Sequence, residues 1–307
     1  MTMRVGILGC GYVGLELGRQ LRKRGHDVVG VRRSEEGIEA VEAADLDPIQ
    51  ADVTDSDSLD SVPDVDALVY LVSSGGGGID AARRAYIEGP RTVIEAFEGR
   101  SDPPDRLLYA SSTGVYGDHG GGWVDESTPL DPQTDRERVL AEGERIALSG
   151  STADDDRSVP ETEISGTVVR FAGLYGPDRY RLDRYLDGSV TAGWLNVLHR
   201  DDAAGVLRFL LENDLARDDL VLAVDDEPVE RPTLARWLAS ECGVDPPKRI
   251  TIEERIASDD LSSSAQRRIR SNRRCRNDRL RELGYEFTYP TYREGYRSAV
   301  EMCLDDG

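Results

Sequence analysis

The sequence predicts an α/β fold, a doubly wound parallel sheet with helices on both faces and a smaller C-terminal domain on the substrate side. Three observations carry that expectation. Short apolar runs alternate with amphipathic helical patterns through the first half of the chain. The first run ends in a glycine-spaced turn that leads directly into a helix. At 307 residues the chain is also long enough for such a sheet and a partner domain.

The first strand spans 4–8 and is followed by Gly9-Cys10-Gly11-Tyr12-Val13-Gly14, a G-x-G-x-x-G turn, with a helix over 13–24 behind it. Gly9 allows the tight turn, Gly11 lets backbone approach a pyrophosphate, and Gly14 lets helix and strand pack closely. The helix N-terminus then offers N–H groups and a positive dipole end to phosphates. Strand, motif and helix in this order read as a Rossmann dinucleotide site, with Gly9, Gly11, Tyr12, Val13 and Gly14 as cofactor residues. Helix one ends at Gly25, and 27–31 forms strand two, which runs into Arg32-Arg33-Ser34. An NAD enzyme usually places an acid there to hold the ribose 2′-hydroxyl. Two guanidinium forks and a hydroxyl suit a 2′-phosphate instead, so NADP is expected ahead of NAD.

Further strands are expected at 46–50, 67–72 and 106–111, with helices at 35–43, 79–98 and 135–148. Asp52 and Val53 follow strand three, where the chain can curl over an adenine ring. Leu71 and Val72 end strand four, and Ser111 ends strand five, at the carboxyl edge where ligands of open α/β sheets bind. Strand six is Gly166 to Phe171 and strand seven Leu220 to Val224, after which helix and irregular structure are expected. The dinucleotide domain would then comprise 1–170 and a returning segment of about 199–224. The substrate-side domain would hold 171–198 and 225–307.

The formal net charge of −21 disfavours nucleic acid and anionic membranes as partners. Lys23 and Lys248 are the only lysines, so 36 of 38 basic residues are arginine. An acidic, lysine-poor surface suits concentrated salt, where a short Debye length suppresses self-repulsion, as in salt-loving archaea. Cys10, Cys242, Cys275 and Cys303 form no C-x-x-C pair, which argues against a disulfide framework or zinc site and for a reducing cytoplasm. No run of ~18 apolar residues suggests a membrane span, and the immediate entry into a strand suggests no signal peptide. Residues 149–165 read as an exposed acidic loop. Eight arginines between Arg267 and Arg281 serve either as partners for the protein's own acids or as an anion site for a phosphorylated or nucleotide-linked substrate. His26, His119 and His199 share no metal-ligand spacing, so no metal is expected. The sequence is also compatible with a homodimer.

Tyr109-Ala110-Ser111-Ser112-Thr113-Gly114-Val115-Tyr116-Gly117 is similar to the strand-five signature of the extended short-chain dehydrogenases/reductases, the NAD(P)-dependent epimerase/dehydratase family. Arg170-Phe171-Ala172-Gly173-Leu174-Tyr175-Gly176-Pro177 resembles that family's Arg-Tyr-x-x-x-Tyr-Gly-Pro stretch. Asn196-Val197-Leu198-His199-Arg200-Asp201-Asp202 resembles its N-x-x-H-x-x-D element. The resemblance spans residue 4 to about 300. It implies a small sugar or nucleotide-sugar type substrate and places the family's catalytic serine on Ser112.

The family's Tyr-x-x-x-Lys pair, just before an acid matched by Glu142, falls on Thr134 and Arg138. A threonine hydroxyl is too weak an acid for the role of a phenol of pKa ~10. Arg138 retains positive charge but cannot become neutral. The glycine spacing also departs from the family's G-x-x-G-x-x-G, which places the chain among atypical members. Two readings follow. In one, an oxidoreductase or epimerase uses Ser112, with Tyr116 or Tyr175 supplying the proton and Arg138 the charge. In the other, a protein binds NADP(H) without chemistry and reports redox state to a partner. The serine motif favours the first; the missing pair favours the second.

Overall fold

Central strands buried on both faces build the middle of the sheet, as their near-continuous apolar runs require. The computed structural model describes residues 2–148, 162–257, 261 and 263–305, without the side chains of 263, 264, 267 and 268. β1 (Arg4–Leu8), β2 (Asp27–Arg32), β3 (Asp47–Gln50), β4 (Ala67–Tyr70) and β5 (Arg106–Ser112) are joined by strands Ser165–Phe171 and Asp219–Ala223. The sheet order is Asp219–Ala223, Ser165–Phe171, β5, β4, β1, β2, β3. Every neighbour pair from Ser165–Phe171 across to β3 is parallel. Strand order reverses on either side of β1, so the crevice at its carboxyl end is the ligand position for this topology.

α1 (Tyr12–Lys23) buries Val13, Leu17 and Leu21, the stripe expected of a helix laid on a sheet. α2 (Glu35–Ala43) starts at Ser34, whose side chain caps it by accepting from the Gly37 N–H at 3.3 Å. No helix among the described residues is long and apolar enough to cross a membrane.

The helix expected over 79–98 is broken into three pieces. Gly78–Arg83 is α-helical, Arg84–Glu88 is one π turn, and Gly89–Glu98 is α-helical again. Pro90 explains the break. It has no N–H for the carbonyl of Tyr86, four residues back, and its ring crowds that carbonyl. The Gly89 N–H bonds to the Arg84 oxygen instead of that of Ala85. Two tyrosines of the sheet take the carbonyls left over: Tyr70 donates to Ala85 O at 2.6 Å and Tyr109 to Tyr86 O at 3.2 Å.

The chain divides into two units. The first is Met1–Val115, Pro132–Phe171 and Ala203–Val221, and contains most of the sheet. The second is Tyr116–Asp131, Ala172–Asp202 and Leu222–Gly307. Segment 116–131 was expected in the first, but Trp123–Val124 pairs with Arg274–Cys275 in the second. From 225 onward there are also strands Val229–Glu230, Lys248–Ile250 and Arg274–Cys275, too short to leave an alternating pattern. An aromatic cluster fills the second unit: Tyr175, Tyr180, Tyr292 and Tyr296 with Leu234 and Leu238. Most of the expected acidic loop, residues 149–161, lies outside the described residues.

Candidate functional site

The glycine-spaced turn folds as its spacing demands. Gly9 has φ +79°, and a Cβ there would stand 2.8 Å from the Val72 backbone nitrogen and 2.9 Å from the Leu71 carbonyl carbon. That contact ties the end of β1 to the end of β4 and admits only glycine. The N–H groups of Gly9 and Cys10 both donate to Val31 O at 3.1 Å, which joins the turn to β2. Among the described residues no side chain caps α1 at Gly11, an arrangement that suits phosphate binding at a helix N-terminus. A Cβ on Gly11 would lie 2.6 Å from Arg32 Nη1. The cradle therefore suits a pyrophosphate. Cys10 is sealed beneath it, its thiol pushed up to about 12 by burial despite the nearby Arg32. It is a packing residue.

Arg32 lies across this loop and donates to Cys10 O at 3.2 Å. Arg33 is 80% exposed and sits 3.4 Å from Asp52. Burial works against the Asp52 charge, but bonds from Thr54 and the pull of Arg33 outweigh it and hold the carboxyl below its usual range. Val53 is buried in the core and Val13 faces the sheet. Of the expected cofactor residues, the fold thus brings Gly9, Gly11, Arg32, Leu71 and Val72 together, and sets Arg33 beside Asp52.

The two serines at the end of β5 have different fates. Ser111 is buried and donates to Glu144 Oε1 at 2.6 Å, so its hydroxyl is turned inward. Ser112 is half-buried, and the one hydrogen bond described for it is accepted from the Gly114 N–H at 3.1 Å. Its own proton remains to give. Glu144 also holds Arg170, with Nε to Oε1 at 2.9 Å and Nη2 to Oε2 at 2.6 Å, both side chains at most 5% exposed. Glu144, not Glu142, is the buried acid of helix Asp135–Ala147. Its signal was readable, because Leu140, Gly143, Glu144 and Ala147 form one buried stripe and an acid within it calls for a partner.

The other proposed catalytic residues are otherwise engaged. Thr134 is the N-cap of helix Asp135–Ala147 in a capping box with Glu137. Arg138 is 56% exposed, ion-paired to Asp135 at 2.7 Å and donating to Gln133 O. In the second unit, Tyr116 donates to Asp125 O at 2.6 Å. Tyr175 stacks on Tyr296 with ring centroids 4.7 Å apart, and burial pushes its hydroxyl far above the usual phenol range. A phenol so placed is a poor acid.

The N-x-x-H-x-x-D element acts as a staple within the second unit. Asn196 donates to Arg273 O and accepts from the Cys275 N–H at 2.7 Å. Asp202 accepts from Tyr285 and from the Thr288 and Tyr289 N–H groups. His199 packs against the tilted ring of Tyr289, its pKa pulled down to about 4 by burial. Within the arginine run, Arg274 lies between Trp123 and Trp194, and Arg281 pairs with Asp226. The side chains of Arg267 and Arg268 lie outside the described residues. No group of three His, Cys, Asp or Glu that could hold a metal occurs among the described residues.

Known proteins match this architecture along nearly its whole length. Protein YeeZ of Escherichia coli (strain K12) is 29% identical over 298 residues, covering 94% of this chain and 96% of that protein. A 3-diazoavenalumate denitrifying reductase from Streptomyces sp is 29% identical over 320 residues, covering 95% of this chain and 99% of the relative. The structure of a human epimerase family protein with NADPH superposes with TM-score 0.76 at 16% identity, covering 99% of this chain and 100% of the other, a likeness of fold. A sequence model of the NAD dependent epimerase/dehydratase family matches residues 5–225. With the glycine cradle, the β5 serines and the sheet order all in place, the chain belongs to the NAD dependent epimerase/dehydratase family.

Proposed function

We propose that the protein is an NADP(H)-dependent oxidoreductase or epimerase acting on a small sugar-like or nucleotide-sugar-like molecule. The observation that carries this reading is the end of β2, where Arg32 spans the phosphate cradle and Arg33 and Ser34 follow in place of an acid. The reductase among the relatives supports the reaction class. When bound, the cofactor would supply or take up a hydride at the nicotinamide. The cradle at Gly9, Gly11 and Gly14 would hold its pyrophosphate, and Arg32, Arg33 and Ser34 its 2′-phosphate. Ser112 would donate a hydrogen bond to the substrate oxygen. The acidic surface suits assays in concentrated salt.

A second reading, NADP(H) binding without chemistry, is favoured by the capping role of Thr134 and the surface ion pair of Arg138. Fluorescence titration with NADPH and NADH tests the cofactor; turnover of carbonyl probes separates the two readings.

Two results are expected of the cofactor site. Changing Arg32 and Arg33 together to alanine weakens NADPH binding by about 2–4 kcal/mol, at ~1.5–3 per charged hydrogen bond, and leaves NADH nearly untouched. Equal losses for both nucleotides would refute the 2′-phosphate role. Gly11→Val abolishes nucleotide binding with little change in melting temperature, because the new side chain meets only the flexible tip of Arg32 within the protein. Retained NADPH affinity would show that the phosphates lie elsewhere.

A further inference from the structure

We infer that Tyr86, steadied by Arg136, is the proton donor of this site, taking the role that Thr134 and Arg138 do not fill. The inference rests on the oxidoreductase reading above. It starts from the π turn at Arg84–Glu88, a distortion that recurs at functional sites. The turn carries Tyr86, and the Tyr86 carbonyl is held by Tyr109 of β5, three residues before Ser112 on the same strand. Tyr86 is half-buried.

Arg136, in the first turn of helix Asp135–Ala147, reaches this tyrosine. Its Nη2 donates to the Tyr86 hydroxyl at 3.3 Å, and its Cζ lies 4.9 Å from the ring centroid. Its Nη1 donates to Ser74 Oγ at 3.1 Å, beyond the carboxyl end of β4 and therefore at the ligand edge of the sheet. The guanidinium is thus fixed at two points.

The direction of the hydrogen bond matters. A guanidinium has no acceptor, so the phenol oxygen accepts from Arg136 and keeps its own proton for another group. Tyr70, Tyr109 and Tyr116 each spend that proton on a backbone carbonyl. The chemistry balances. When bound, the reduced nicotinamide would supply a hydride to the substrate carbonyl carbon, whose C=O π pair would move onto oxygen. The phenol proton of Tyr86 joins that oxygen to complete the hydroxyl. The phenolate left behind faces the fixed positive charge of Arg136 and regains a proton from water. A tyrosine and a cation on two different helices then replace a pair on one.

The test uses the full chain saturated with NADPH and 9,10-phenanthrenequinone as carbonyl probe. Tyr86→Phe keeps the ring and its packing and is expected to lower turnover by about 10²-fold, the low end for general acid catalysis. NADPH affinity and melting temperature should stay at wild-type values. Arg136→Lys should retain far more turnover than Arg136→Gln. A readout independent of turnover is fluorine NMR of protein labelled with 3-fluorotyrosine: the resonance missing in Tyr86→Phe should shift when NADPH is added. Turnover of Tyr86→Phe within twofold of wild type, or an unmoved resonance, overturns the inference and leaves the cofactor reading standing. So does a protein that binds NADPH but never reduces the quinone. Failure to bind NADPH removes the cofactor reading itself and the inference with it.

Discussion

Glu144→Ala is expected to destabilise the protein by about 3–5 kcal/mol, the cost of breaking a buried ion pair from one side. Arg170 would lose both of its bonds to that carboxylate while remaining 3% exposed, and Ser111 would lose its acceptor. The pair stabilises by mutual satisfaction, not by attraction alone, because each ion has already lost its water. Replacing both members by apolar residues, Glu144→Leu with Arg170→Met, should therefore cost less than Glu144→Ala alone. Urea denaturation checks both variants. A midpoint for Glu144→Ala equal to that of wild type would show that Arg170 finds other partners or water.

Ser112→Ala should lower turnover by about 10²–10³, as expected when one donor to a developing oxyanion is removed. Ser112 ends β5 at the ligand edge, is half-buried, and in its described hydrogen bond acts as acceptor, so under the proposed function its proton would go to a substrate oxygen. NADPH affinity should be unchanged, since the cradle of Gly9 and Gly11 lies in the turn between β1 and α1. Ser111→Ala provides the contrast: its hydroxyl serves Glu144, so its loss should be read in the denaturation midpoint and scarcely in turnover. Normal turnover of Ser112→Ala would remove Ser112 from the chemistry, whereas absence of turnover in the unaltered protein would favour binding without chemistry.

The sheet was legible because its strands are short apolar runs separated by helices of regular period, and strand ends fell within a residue or two of those expected for β1, β2, β3, β5 and Ser165–Phe171. The glycine turn was legible because φ +79° at Gly9 and a backbone contact at 2.8 Å leave one residue type possible. The second unit was harder to read. Its strands of two and three residues are set by distant partners, as when Arg274–Cys275 finds Trp123–Val124, and such pairs leave no local period. The π turn lay between these extremes. Pro90 stood in plain view inside a helical pattern, but the turn also needed Tyr70 and Tyr109 from the sheet to take the displaced carbonyls. At the site, Thr134 and Arg138 could be matched to a motif by counting. The Arg136–Tyr86 contact could not, because it joins positions 50 residues apart.

The capping box at Thr134 bears on which residues this position can carry. The Thr134 hydroxyl accepts from the Glu137 N–H at 3.3 Å, and Glu137 bonds back to the Thr134 N–H at 3.1 Å. A tyrosine at 134 has no oxygen placed for that first bond, so placing one there would cost the helix about 1 kcal/mol. The start of the helix thus constrains which residue position 134 can carry, and a variant with a phenol there would need a compensating cap or added helix propensity elsewhere in the same helix to keep its stability.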